Sequence, residues 1–525
     1  MDKSYIDNIS PEKFQFAQVG DLTHEKKPET KPIGFFGDAF RRFAKNKGAI
    51  VAAVIIALMF LFAIIVPFLT PYEVSYFDTY YAYTQPKCSL FENTNFWDGC
   101  TEKKTNLKTF TYYYAMGQET GHNAIKNQEY TVSEDGVYTY RLDTYQMNGV
   151  IYKDISMDEY TALQEYQNET GIQVIYPILT KSNRPTAADY DQDGNIYFKT
   201  TEKGGKTQFV YDENGNVIPA YNSYPLTLLD ENGLGNDKYN SLRIEGKEGF
   251  IDDKGEPRYY SYAIITPSGV QVRVNYYEYY TYYHSRVLKD GITNPYFLFG
   301  TTGSGKDILT CLSSGARFSF VFAIVVAVVN LIVGAIYGSI AGYYGGRIDI
   351  VLERITDIIG AIPTMIVITL LKLHMGGSSQ ALVLFISFFL TGWIGMGGTT
   401  RMQFYRFKNQ EYVLAARTLG AKDSRLMFKH IFPNAIGTIV TRFALVIPSM
   451  IYSETSLSYL GIINLETGNI TSVGTLIAAG QKSLATSPFV AMFPAVFLAL
   501  LMLSFNLFGN GLRDAFNPSL RGTEG

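Results

Sequence analysis

Residues Ala49 to Leu69 carry no charge and form a run long enough to cross a hydrocarbon core, which needs roughly 20 apolar residues. In lipid a backbone must satisfy its own polar groups, so such a run crosses as a helix. Comparable stretches follow at Phe318 to Ala341, around a bend at Pro363, at Leu382 to Trp393, at Ala435 to Tyr452 with a kink near Pro448, and at Pro488 to Phe508. The expected fold is therefore an α-helical polytopic membrane protein with six transmembrane helices. A mean hydropathy of +0.01 conceals this, because a long polar block offsets the apolar runs.

Orientation follows from the cations. Arg41, Arg42, Lys45 and Lys47 precede the first span, which places its start in the cytoplasm. Phe35 to Lys47 interleaves aromatic and basic residues as an interfacial helix does, and a basic cluster beside a span argues for membrane anchoring and against nucleic-acid binding. The polar segment from Met1 to about Lys31 lacks the apolar core of a signal peptide and is expected to stay cytoplasmic. Between the fourth and fifth spans, Arg401, Arg406, Lys408, Arg417, Lys422, Arg425 and Lys429 face only Glu411 and Asp423, so that loop is also cytoplasmic. Six spans with an inside start put both termini in the cytoplasm. The expected division is 1–47 (cytoplasmic segment and interfacial helix), 48–71 (first span), 72–296 (an inserted extracellular domain) and 297–522 (a helical core with the remaining spans).

The block from Tyr72 to Tyr296 holds 32 of the 40 tyrosines, which makes it aromatic enough to fold and unlike a disordered linker. Hairpin strands are expected at Val137 to Leu142, at Ile196 to Thr200 against Thr207 to Tyr211, and at Tyr259 to Thr266 against Val270 to Val274. Ser156 and Glu159 have capping-box spacing ahead of a helix, so the block reads as α+β, weighted to β. Tyrosine also suits a recognition surface, since it offers large contact area at low entropic cost. Asp189, Asp191 and Asp193 before Gly194 open like a calcium loop, but Thr200 stands where a bidentate glutamate belongs, and plain hairpin turns explain the pattern equally. Cys88 and Cys100 are close enough in sequence to close a small disulfide loop on the oxidising side of the membrane.

Gly300 to Asp307 satisfies the G-x-x-x-x-G-K spacing of a phosphate loop. The next residue is Asp307, however, where a hydroxyl would have to meet Mg²⁺, and the topology places the loop outside the cell. Gly334, Gly338 and Gly342 recur every four residues and suit close helix packing, while Gly392, Gly395, Gly397 and Gly398 are expected to loosen the inner end of the fourth span. Asp349, Arg354 and Asp357 either line an inner vestibule or form a solvated helix end. Glu454, expected just beyond the fifth span, is either a pathway residue or a ligand to helix-end amides.

The stretch Glu411 to Asn434 resembles the EAA loop of ABC importer permeases, through Ala415-Ala416, Gly420 four residues on, and the closing Ile431-Phe432-Pro433-Asn434. Leu414 departs from the motif, since a glutamate usually stands there, whereas Glu411-Tyr412 fits the peptide-permease version. From Arg317 to the end the chain is similar to dipeptide and oligopeptide permeases, including Gly509-Asn510-Gly511-Leu512-Arg513-Asp514 near the C-terminus. Gly300 to Asp307 is also similar to a stretch those permeases carry before their second span. The similarity covers residues 33–71 and 295–522.

The resemblance implies a type I ABC importer permease fold in a bacterial cell membrane, in a C-type subunit of a peptide system that catalyses nothing itself. It implies that Glu411, Ala415, Ala416, Arg417, Gly420, Ala421 and Pro433 dock an ATPase. The implied partners are a second, B-type permease, two ABC ATPases that hold the ATP and Mg²⁺, and an extracellular substrate-binding protein that would deliver cargo near the inserted domain. No cofactor and no metal are expected on this chain. Competing readings are a permease for nickel or another small solute, a surface receptor or adhesin on a six-span anchor, and a channel, although no charge ring or filter loop is legible.

Overall fold

A computed structural model describes residues 35–92, 94–176, 200–204, 206–210, 213, 249–251, 257–259, 262–267, 269–375, 379–466 and 470–516. The N-terminal segment before residue 35, the calcium candidates Asp189, Asp191 and Asp193, and the last residues from Asn517 lie outside them.

Helix α1 (Phe35–Lys45) carries an Asp38–Arg42 ion pair at 3.1 Å, one turn apart, and sets Phe43 edge-on to Phe508 near the C-terminus. Asn46 ends it and caps α2 (Lys47–Leu69) by accepting the Ala49 amide at 3.1 Å. Along α2 the buried residues are Ala49, Ala52, Ile56, Met59 and Ala63, one stripe at helical spacing, while Leu58, Leu61 and Phe68 are exposed and suited to lipid.

The longest element of the helical core is α6 (Ile308–Tyr344, 37 residues), which starts ten residues earlier than the apolar run suggests because Asp307 caps it. It is followed by α7 (Gly346–Gly360) and α8 (Thr364–His374), which bend by 68° at the expected Pro363. Next come α9 (Gln380–Phe407), the short α10 (Glu411–Thr418), α11 (Phe432–Tyr459), α12 (Val473–Gln481) and α13 (Phe489–Phe516). Among the described residues five helices are long and apolar enough to span a membrane, or six when the bent α7–α8 pair counts as one crossing.

Helices α6 and α9 make the closest approach. A Cβ on Gly334 would sit 2.7 Å from the Trp393 oxygen, one on Gly338 2.2 Å from the Gly397 oxygen, and one on Gly342 2.6 Å from the Arg401 oxygen. Two four-residue ladders therefore interlock backbone to backbone. This corrects the expectation for the fourth span. It is one unbroken helix to Phe407, and Gly397 belongs to a packing seam and does not loosen the inner end. Glu454 is likewise corrected: α11 continues to Tyr459, so the residue lies within the helix and not beyond it.

Between α2 and α6, strands and helices alternate. β1 (Cys100–Thr105), β2 (Ile125–Val132) and β3 (Tyr138–Asp143) form an antiparallel sheet in the order β1-β3-β2, covered by α3 (Leu107–Thr120) through Phe110 and Met116. A second sheet has β11 (Gly269–Asn275) at its centre, between β10 (Ala263–Thr266) and β4 (Val150–Ile155), with β5 (Ile175–Tyr176) also pairing β11. The expected hairpin of residues 259–266 against 270–274 forms over Ala263–Thr266 and Gly269–Asn275, with Thr266 opposite Gly269, whereas Tyr259 pairs with Gly249. β6 (Thr200–Lys203) pairs β7 (Lys206–Phe209), and β8 (Gly249–Ile251) pairs β9 (Pro257–Tyr259).

Helix α4 (Met157–Thr170) keeps half of the expected capping box. The Ser156 hydroxyl accepts the Glu159 amide at 3.1 Å, but the Glu159 carboxylate accepts from the Tyr279 hydroxyl of α5 (Tyr276–Tyr282). Many of the tyrosines are core and not surface. Tyr81, Tyr145, Tyr262, Tyr276, Tyr279, Tyr280 and Tyr282 are buried together with Leu163 and the valines of β11.

Cys88 and Cys100, the candidates for a disulfide, are both free thiols here. Lys87 pairs with Asp98 across an isolated antiparallel bridge and the Cys88 amide donates to the Trp97 oxygen at 2.8 Å, so Cys88 lies opposite Trp97.

The glycine seam yields a test. Gly338→Ala should cost about 1–3 kcal/mol through overpacking. Gly398→Ala, where a methyl meets nothing within 4 Å, should stay within about 0.5 kcal/mol. Thermal melting of the detergent-purified protein checks both, and equal melting of the two variants would contradict the close contact.

Candidate functional site

The end of α9 hands over to α10 through a set of contacts on Tyr343, at the end of α6. Lys408 donates to the Gly342 oxygen at 3.0 Å and lies 4.2 Å from the centre of the Tyr405 ring, which joins the ends of α6 and α9. Val413 of α10 is fully buried in a cluster with Tyr343, Phe404, Leu426, Met427 and Ile431, against which Ala416 and Ala421 also pack. The Tyr343 hydroxyl donates to Asp423 at 2.6 Å, and the Arg417 guanidinium lies 5.8 Å from the same ring.

Gly420 has φ +81°, and its left-handed turn lets the Ala421 amide reach the Ala416 oxygen at 3.1 Å and its own amide reach Arg417 at 3.0 Å. This double closure is the Schellman way of ending a helix. The chain then turns back through Asp423–Arg425 and a π-turn at Leu426–Ile431 into α11, where Pro433 occupies the first turn and its missing N–H costs nothing.

What this turn presents outward is now definite. Glu411, Ala415, Arg417, Gly420 and Pro433 are exposed, and Ala416 and Ala421 are turned partly inward. Leu414 is 42% and Leu419 88% exposed, so the tip is an apolar knob on a rigid base. The sequence reading missed Tyr343, Val413 and Leu419. A leucine directly before a helix-ending glycine was the available signal for Leu419, whereas Tyr343 lies far away in sequence and gave none.

The charged candidates separate into unlike environments. Asp349 is buried and takes both arms of Arg401, from Nε at 2.6 Å and Nη2 at 2.8 Å, together with the Tyr405 hydroxyl. Arg401 also meets Glu353 at 3.1 Å. Arg354 and Asp357, by contrast, form an exposed pair at 3.1 Å on the surface of α7. A cavity of about 310 Å³ between α6, α7 and α9 is lined by Tyr337, Glu353, Asp357 and Arg401 among others. Glu454 is fully buried and accepts from the hydroxyls of Ser319 of α6 and Ser458 of its own helix, each at 3.1 Å, with the side chain of Ser472, the cap of α12, as a further partner.

The phosphate-loop look-alike is a structural clamp. Thr301 exchanges hydrogen bonds with Thr84, the Tyr83 amide donates to the Thr302 oxygen at 3.1 Å, and a Cβ on Gly305 would collide with the Asp78 backbone. Asp307 accepts the Thr310 amide at 2.8 Å as the cap of α6, and burial pushes its carboxyl up to about 6. Lys306 is paired with Glu466 at 2.8 Å. Of the loop's backbone amides, those of Gly300, Thr301, Thr302, Gly305 and Lys306 are already hydrogen-bonded within the protein. Among the described residues no group of three or more His, Cys, Asp or Glu side chains is placed to hold a metal.

Comparison with known proteins gives these features a context. The family model described as binding-protein-dependent transport system inner membrane component matches residues 334–522, and the N-terminal TM domain of oligopeptide transport permease C matches residues 34–86. Over 223 residues the chain is 43% identical to the oligopeptide transport system permease protein OppC of Bacillus subtilis (strain 168), covering 42% of this chain and 72% of that relative. It is 37% identical over 224 residues to the dipeptide transport system permease protein DppC of the same organism, covering 42% and 69%. It is 38% identical over 223 residues to OppC of Escherichia coli (strain K12), covering 42% and 72%. Residues 87–333 fall between the two matched ranges and include the sheets. With such identity over more than two thirds of its relatives, this chain belongs to the family of binding-protein-dependent transport system inner-membrane components, as a C-type permease.

Proposed function

We propose that the chain forms one transmembrane half of an ATP-driven peptide importer, working with a B-type permease, two ABC ATPases and an extracellular substrate-binding protein. Relatives named for oligopeptide and dipeptide transport support peptides as the cargo. The observation that carries the reading is the exposed knob of α10, with Leu414, Ala415, Leu419 and Gly420 facing out and Val413 locked on Tyr343. A partner that pushes on this knob moves the ends of α6 and α9 with it, because Tyr343, Lys408 and Arg401 join them. ATP-driven closure of the ATPases then reorients the spans as a rigid-body change.

In this reading both termini and α10 are cytoplasmic, and the inserted domain is extracellular, standing where the binding protein delivers its load. Glu411, Arg417 and Pro433 border the docking knob. The Asp349–Arg401 pair holds α7 against α9 at the inner end of the pathway, and Glu454 steadies α11 against α6. ATP and Mg²⁺ belong to the partner ATPases.

Two results test this. A β-branched side chain at Gly420, where φ is +81°, adds strain of about 1–3 kcal/mol at the turn. Gly420→Val should therefore lower peptide uptake by roughly five- to a hundredfold, with each 1.4 kcal/mol worth a factor of ten. Its amount in the membrane should be unchanged, and normal uptake at normal levels would count against docking through α10. Lys306→Ala should leave ATP turnover of the assembled complex within about twofold, since surface ion pairs contribute little. Loss of nucleotide binding in an intact complex would give the loop at Gly300 to Asp307 a role that the clamp does not predict.

A further inference from the structure

The loop between Cys88 and Trp97 has an unusual division of polarity. Its ends are pinned by the Lys87–Asp98 bridge and by the Cys88 amide donating to the Trp97 oxygen at 2.8 Å. Three of its backbone carbonyls are met from the sheet side. Lys126 donates to the oxygens of Glu92 (3.2 Å) and Thr94 (3.3 Å), and Arg141 to that of Asn95 (3.3 Å). Both cations also hold the buried Asp98, at 2.6 and 2.8 Å. With these carbonyls held on the sheet side, the loop exposes Leu90 (86%), Phe91 (37%) and Phe96 (66%), and Glu92 beside them pairs with Lys87 at 3.6 Å. Such a surface is costly in water.

The height of this loop is set by an aromatic chain that ends in a spanning helix. Phe91 and Phe96 pack on Trp97, with ring centres 6.2 and 5.8 Å away. Trp97 packs on Phe493 at 5.6 Å and on Phe299 at 6.0 Å, and Phe299 stacks on Phe493 at 4.2 Å. Phe493 lies in the first turns of α13, next to Met492, which is exposed, as is Val496. Trp97 itself holds a left-handed φ of +57°, and its indole N–H donates to the Leu298 oxygen. A strained tryptophan thus fixes the loop to the end of a membrane span.

We propose that Leu90, Phe91 and Phe96 form a membrane-interface anchor that seats the inserted domain on the bilayer at the headgroup and acyl boundary. The occupant is lipid because the exposed apolar surface continues the lipid-facing side of α13 at the level where that helix begins. Aromatic side chains are favoured at that depth, and the loop brings no unsatisfied carbonyl from Glu92, Thr94 or Asn95 into it. The anchor does not depend on what the transporter carries.

The chain has two tryptophans, Trp97 and Trp393, which makes a spectroscopic test direct. Leu90→Trp is made in a Trp393→Phe background with Trp97 kept, in phosphatidylcholine nanodiscs, and the emission of the Trp393→Phe protein is subtracted. The side chain at residue 90 is exposed, so the change leaves the core intact. The residue-90 emission should be blue-shifted, closed to aqueous iodide, and quenched at least roughly twofold by lipids brominated near the headgroup end of the acyl chain, as expected for insertion by about 5–10 Å. Emission that iodide quenches and brominated lipid does not would overturn the proposal by placing the loop in water. Emission shielded from both quenchers, and only when partner subunits are present, would overturn it in favour of a protein-covered surface.

Discussion

Everything at the α10 end of the helical core depends on the backbone contact between α6 and α9. Gly334, Gly338 and Gly342 meet Trp393, Gly397 and Arg401 with no room for a single methyl, so the two helices run as one rigid pair. Lipid supplies no hydrophobic drive between helices, and close packing of small residues is what holds such a pair together. The seam also positions the residues of the candidate site. It brings Arg401 beside Asp349, and it sets Tyr343 beneath α10.

From that base a mechanical reading follows. Val413 is fully buried while Leu419 is 88% exposed, so α10 has an anchored side and a free side within one short helix. The anchored side meets Tyr343, Phe404 and Leu426, which belong to three different segments. A force on the free side therefore cannot be absorbed locally. The bidentate Asp349–Arg401 pair extends the same body to α7, with the carboxylate buried and the guanidinium partly exposed. The clamp at Gly300 to Asp307 does the equivalent on the opposite side, tying the inserted domain to the cap of α6.

Much of this was legible in the residues. Spans announce themselves by length and apolarity, Pro363 by the bend it forces, and Gly420 by the left-handed turn only glycine takes easily. Helix ends were less legible, since caps such as Asp307 lie outside the apolar run and α11 carries Ser453, Glu454, Thr455 and Ser456 without breaking. Long-range pairings were not legible at all. The register opposing Cys88 to Trp97, the ladder of Gly397 against Gly338, and the burial of so many tyrosines depend on partners remote in sequence. Leu414 departs from the motif that its loop resembles, and the geometry gives it a place as apolar surface beside Leu419.

The central claim is that α10 is the point at which this permease receives force from an ATPase. The most direct measurement is a structure of the chain purified with its natural partners in a lipid nanodisc. The account predicts an ATP-binding subunit with a groove closed over Leu414, Ala415 and Leu419, and Tyr343 still seated against Val413. An assembled, transport-competent complex in which that knob is bare, with the ATPases bound elsewhere, would contradict it.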